Sequence, residues 1–234
     1  RSKGKKNENK TLMELLDLIE IKDAIITMDA MNTQRQIVEK IQHKQADYVL
    51  SVKDNQKVLH EEIKDYFVYM KKQHADIVSK STHTEVDVGH GRIEQRVYRQ
   101  LLVNELITES SKWVGIRTII EVERTREIKD KIEKEVQYYI SSLEINLPQI
   151  ADTIRGHWEV ENKAHYVLDV TYKEDASRIR RENAAENIAT ARRFALNLAR
   201  LHPKKDSMRG KLKQAMWSDD FRHQLVFGYE MNKA

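Results

Sequence analysis

Two short apolar runs constrain this chain more than any other feature. Ala24-Ile25-Ile26-Thr27-Met28 and Tyr48-Val49-Leu50-Ser51-Val52 each read as a strand buried on both faces. Between them Ile37 and Ile41 recur at helical spacing. A strand, about a dozen helical residues and a second strand make a βαβ unit, whose strands run parallel. Before it, residues 1–10 are polar and aperiodic and are expected to fray. Leu12 to Ile21 then carry an amphipathic helical pattern.

After a longer helix marked by Leu59, Ile63, Tyr66, Phe67 and Met70, the apolar period changes from 3.6 to 2. Thr84, Val86 and Val88 alternate with charged residues, Gly89-His90-Gly91 supplies a turn, and Ile93, Val97 and Leu101 continue a returning strand. This hairpin is expected to carry a charged outer face of Arg92, Glu94 and Arg96. Further strands are predicted at 114–122 and 134–142. The reading is thus a parallel α/β unit followed by an antiparallel β block.

Pro148 fits the first turn of a new helix, with Asn146 just outside it and Ile150, Ile154 and Trp158 on its apolar stripe. Another helix starts at Asn183, where Asn183 and Glu186 form a capping-box pattern; its stripe is Ile188, Ala191, Ala195, Leu198 and Leu201, and Pro203 ends it. From Arg178 to Lys213 there are eleven basic residues against three acidic ones, a net of +8 inside a 234-residue chain whose total is +4. Such asymmetry suits a polyanionic partner, most simply nucleic acid, and equally suits a solvated helical surface. With 33% charged residues and no uncharged apolar run near the roughly 18 residues of a span, a membrane segment is not expected. The chain has no cysteine, which excludes disulfides, zinc ribbons and thiol nucleophiles. Its first ten residues lack a signal-peptide core, so a cytoplasmic location is expected.

Asp29 follows the first strand, at the carboxyl end where open α/β sheets place ligands and catalytic groups; a cap or turn role is the plainer alternative. His157, Glu161 and His165 are spaced i, i+4, i+8 and form one line on a helix. Two His and a Glu are acceptable metal ligands, yet the line spans about 12 Å, so at most two of them can share one ion. A polar helix flank is the other reading.

Six blocks then carry a resemblance. Thr27-Met28-Asp29-Ala30-Met31, Val52-Lys53-Asp54-Asn55-Gln56, Gly89-His90-Gly91-Arg92-Ile93-Glu94, Tyr139-Ile140-Ser141-Ser142-Leu143, His157-Trp158-Glu159-Val160-Glu161-Asn162 and Leu168-Asp169-Val170-Thr171-Tyr172-Lys173-Glu174-Asp175 stand in the order and spacing of the H-repeat-associated transposases. These are DDE-type transposases of bacterial insertion sequences. The resemblance implies a ribonuclease-H-like core holding two Mg²⁺ (or Mn²⁺) ions with Asp, Asp and Glu. Asp29 matches the second Asp and Glu161 the Glu, as catalytic and metal-binding residues, with His157 and His165 as candidate support. The first Asp is expected upstream of residue 1, since Asp17 lies in a predicted helix and Asp23 on the wrong side of the strand. The Tyr, Arg, Glu, Lys pattern of related transposases is replaced by Ile154, His157, Glu161 and Leu168.

The expected fold is therefore α/β, a ribonuclease-H-like core incomplete at its N-terminus, with an inserted antiparallel β block and a basic helical C-terminal region. Residues 11–53 would open the core, 54–146 form the helix and β-rich insertion, and 147–234 hold the closing core helices and basic region. The implied function is metal-dependent strand cleavage and strand transfer in DNA transposition, with this chain inactive by itself. A catalytically dead DNA-binding remnant of an insertion element is the alternative, and a metal protein unrelated to DNA a third. The partner is DNA, transposon ends and target, and a homo-oligomer on DNA is compatible. Candidate DNA contacts are His90, Arg92, Arg96, Asn55, Gln56, Arg178, Arg180, Arg181, Arg192 and Arg193. Asp169, Glu174 and Asp175 are weaker metal candidates, and an N-cap role explains Asn55 equally well.

Overall fold

The computed structural model describes residues 5–89, 92–128, 131–160, 166–174 and 176–228. The chain divides into two compact units, residues 1–157 and 158–234. In the first, helix α1 (Lys5–Leu18) begins inside the stretch expected to fray. Strand β1 (Ile25–Met28), helix α2 (Arg35–His43) and strand β2 (Asp47–Val52) follow, and β1 and β2 are parallel with Ile25 opposite Asp47 and Met28 opposite Leu50. The βαβ expectation holds. Helix α3 (Lys57–Gln73) buries Leu59, Ile63, Tyr66, Phe67 and Met70 as its spacing predicts. A short α4 (Ala75–Lys80) leads into β3 (Thr82–Gly89), β4 (Arg92–Leu102), β5 (Thr118–Ile128) and β6 (Lys131–Ser141).

The parallel unit and the antiparallel strands share one six-stranded sheet, in the order β1-β2-β6-β5-β4-β3. The join is β2 against β6, antiparallel, with Val49 opposite Ser141 and Val52 opposite Tyr138. β1 closes one edge of this sheet, and its four residues are only half-buried, not buried on both faces as its composition suggested. Among the described residues no strand pairs with its outer side.

Because side chains alternate along a strand, register divides the sheet into two faces. One face presents Tyr48, Leu50, Val52, Leu101, Ile119, Tyr138 and Ile140, which join Leu16, Ile37, Ile41, Leu59, Ile63 and Phe67 of α1–α3 in the main core. The other presents Thr27, Val49, Ser51, Tyr98, Gln100, Ile120 and Tyr139, and helix α5 (Leu147–Val160) lies over it. Gln100 fixes the start of α5, accepting from the Asn146 amide at 2.9 Å and donating to the Glu144 carbonyl at 3.0 Å. Ile150, Ala151 and Ile154 of α5 are fully buried. Tyr138, Tyr139 and Ile140 are all buried, so both faces of β6 are covered at that point.

The far end of the β3–β6 ribbon corrects the predicted hairpin faces. Glu94, expected outside, is only 2% exposed, while Val86 and Val88 are exposed. Arg92, Arg96, Arg124 and Arg126 surround Glu94, with Arg124 at 3.0 Å. Burial alone would raise its carboxyl, but the Arg124 hydrogen bond and the charges of Arg96, Arg124 and Arg92 outweigh it and hold it below the usual range. Ion pairing lets this face close without an apolar stripe.

In the second unit, α6 (Tyr166–Val170) precedes an irregular segment, and α7 (Ala184–Leu201), α8 (Met208–Trp217) and α9 (Asp219–Phe227) follow. Asn183 precedes α7 as predicted but makes no capping hydrogen bond. The buried residues of α7 are Leu196 and Ala199, and Leu201 is exposed, so the predicted stripe is rotated. No helix among the described residues is long and apolar enough to cross a membrane.

Candidate active site

The chain leaves β1 at Asp29 and makes a tight turn over Ala30–Asn32, closed by Asn32 N–H to the Asp29 carbonyl at 2.9 Å. Three side chains clamp that turn. Thr33, fully buried, donates to the Ser51 carbonyl of β2 at 2.7 Å. Asn55 donates to the Ala30 carbonyl at 2.5 Å, and Gln56 to the Thr33 carbonyl at 3.1 Å. Asn55 does not cap α3: the residue before that helix is Gln56, which forms no capping bond either. Both amides instead hold the loop that carries Asp29.

Asp29 stands two residues beyond Thr27 and so faces α5. Its side chain is 63% exposed, and Oδ1 lies 3.3 Å from Nε2 of His157. The other ring nitrogen, Nδ1, is 3.0 Å from the Thr27 hydroxyl. On another side of α5, Arg155 donates to Glu85 of β3 at 3.0 Å and lies 3.4 Å from Asp87. One turn of α5 is therefore tied to both edge strands of the sheet. Sequence reasoning missed Thr27 and Thr33; the alternation that places Thr27 beside Asp29 on one face was the available signal.

Glu161, His165, His90 and Asp175 lie outside the described residues. Among the described residues no group of three or more His, Asp or Glu side chains is arranged to hold a metal ion. Of the hairpin candidates, Arg92 is 44% exposed, whereas Arg96 is 11% exposed and bound to Asp87 and Glu94. In the second unit Arg178, Arg180 and Arg181 are exposed on the segment before α7, and Arg180 donates to the Ser177 and Ile179 carbonyls. Arg192 is half-buried on α7, and Arg193 pairs with Glu174 at 3.2 Å. Lys211, counted in the basic segment, is buried and donates to the Ala199 and His202 carbonyls, which caps α7. A cleft of about 730 Å³ lined by Lys10, Gln34, Arg35 and Gln56 opens near the clamped turn but includes neither Asp29 nor His157.

An exposed carboxylate at a strand end, oriented by a helix, is a place for a hard cation or a proton transfer. Comparison with known proteins decides the family: the model of the transposase DDE domain matches residues 1–198. The chain belongs to that family. Among its relatives, "Putative transposase YncI" of Escherichia coli O157:H7 is 38% identical over 207 residues, covering 86% of this chain and 52% of the relative. "H repeat-associated putative transposase YhhI" of Escherichia coli strain K12 is 37% identical over 199 residues, covering 83% of this chain and 52% of the relative. This is a DDE-domain transposase chain of the H-repeat type, and it spans about half the length of these curated relatives.

Proposed function

We propose that the chain contributes Asp29 and Glu161 to a DDE active site that cuts and joins DNA strands in transposition. The observation that carries this reading is the Asp29 carboxylate, open to solvent at the end of β1 with Oδ1 3.3 Å from Nε2 of His157, a residue four positions before Glu161. Four positions is one helical turn in sequence spacing. Asp29 and Glu161 would hold the divalent ions, and hard carboxylate oxygens suit Mg²⁺ or Mn²⁺. When bound, two such ions activate a water or a 3′-hydroxyl and stabilise the leaving oxygen. The chain's own part is to aim Asp29 through the clamped turn; His165 is a further candidate for support.

On this reading, residues 11–53 begin a ribonuclease-H-like core, 54–146 form its insertion and 147–234 complete it. Arg92, the exposed Arg178, Arg180, Arg181 and Arg193, and the half-buried Arg192 would bind DNA phosphates. If so, affinity for duplex DNA falls steeply with salt, and replacing Arg192 and Arg193 by Ala lowers the log-log slope by about 2. Binding that ignores salt would contradict that role.

Because the chain has no cysteine, Asp29→Cys with Glu161→Cys creates a unique thiol pair. Spin labels on both should show dipolar broadening beyond the sum of the singly labelled spectra. Spectra that simply add would place the two residues apart and overturn the shared site.

A further inference from the structure

We propose that His157 is the positioning residue of the Asp29 carboxylate, held in its Nε2–H form by the Thr27 hydroxyl. An ionised carboxylate only accepts hydrogen bonds, so the proton shared across the 3.3 Å contact sits on Nε2. In the neutral ring Nδ1 is then an acceptor, and the Thr27 hydroxyl 3.0 Å away is its donor. The order is Thr27 O–H to Nδ1, then Nε2–H to Asp29 Oδ1.

Two features make this arrangement rigid. Thr27 and Asp29 leave one strand on the same face, so a single element reads the imidazole at both nitrogens. The ring's own backbone is fixed by α5, through buried Ile150, Ala151 and Ile154 and through Arg155 bound to Glu85. Oδ1 is thereby fixed in direction, while none of the described residues hydrogen-bonds Oδ2, on a side chain that is 63% exposed. A carboxylate presented this way binds a hard cation with little further ordering, as hydrogen-bonded ligands do at metal sites. This role toward a metal rests on reading Asp29 as a metal ligand; the tautomer and its Thr27 lock do not.

The test uses the whole chain labelled with ¹⁵N-histidine, with His157 assigned by its loss in His157→Gln. Long-range ¹H–¹⁵N spectra at pH 8 should show His157 protonated at Nε2. Thr27→Val should move the Nδ1 resonance, and Thr27→Ser, which keeps the hydroxyl, should not. A ring protonated at Nδ1, or one indifferent to Thr27→Val, overturns the proposal. Mn²⁺ affinity is the second readout: His157→Ala should weaken it about tenfold, and His157→Gln, whose amide can still donate to Asp29, should restore most of it. Unchanged Mn²⁺ affinity in His157→Ala overturns the positioning role. Mn²⁺ binding that does not depend on Asp29 defeats the active-site reading instead, and leaves the tautomer result standing.

Discussion

Around Val49 and Ile140 the sheet is covered on both faces, by α1–α3 on one and by α5 on the other, and aliphatic and aromatic side chains fill the space. At the far end of the β3–β6 ribbon Val86, Val88, Ile93, Ile132 and Val136 are exposed. There the closed face is built from charge: Glu94 among four arginines, Asp87 with Arg96, and Glu85 with Arg155. The covered end gives Asp29 a rigid frame. The ribbon end reaches that frame through Arg155, which lies two residues before His157. The two ends should therefore fail differently when perturbed.

The largest expected effect is Glu94→Ala. It leaves four guanidinium groups facing each other without their shared acceptor, and should cost about 3 to 5 kcal/mol in urea denaturation. A loss below about 1 kcal/mol would show that the arginines are solvated individually, as surface pairs are. At the covered end, Ile154→Ala opens a cavity under α5 and should cost about 2 to 4 kcal/mol. It should also weaken the His157–Asp29 contact, seen as a moved His157 resonance. If stability falls and that resonance stays, α5 is not what aims the ring.

A smaller effect separates the two ends by pH. The Arg96 hydrogen bond holds the Asp87 carboxyl low, and the arginine cluster, against burial, holds Glu94 low. For carboxyls lowered on folding, the stabilisation is complete above their ordinary values of 3.8 and 4.5 and is lost as pH falls through the folded values. Thermal midpoints should thus drop below about pH 4.5, and Glu94→Gln should flatten that acid limb. An acid limb identical in Glu94→Gln would place the responsible carboxylates elsewhere.

Local pattern made much of this legible. Ile37 and Ile41, the α3 stripe and the two apolar runs report nearby geometry, and a strand-end Asp is visible as soon as the strand is. The β2–β6 pairing joins residues some ninety positions apart, and no local period announces it. The expected apolar face of the hairpin holds at Leu101, in the main core, and reverses at the far end, because alternation reveals two faces without saying which one is covered; there Glu94 is buried by arginines brought from β5. Thr27 and His157 are 130 positions apart. His157 was visible as a member of a helical line, but its partner depends on α5 lying over β1. Asn55 and Gln56 looked like contacts or caps because the backbone carbonyls they hold belong to another segment.

In the proposed active site Asp29 and Glu161 would serve one metal pair. The direct measurement is Mn²⁺ binding, by water proton relaxation, to the chain, to Asp29→Asn, to Glu161→Gln and to the double variant. A shared site should give weak binding that drops about tenfold or more in either single variant, with the double variant losing less than the sum of the two. Binding that survives both substitutions, or two independent losses that add, would contradict a shared site.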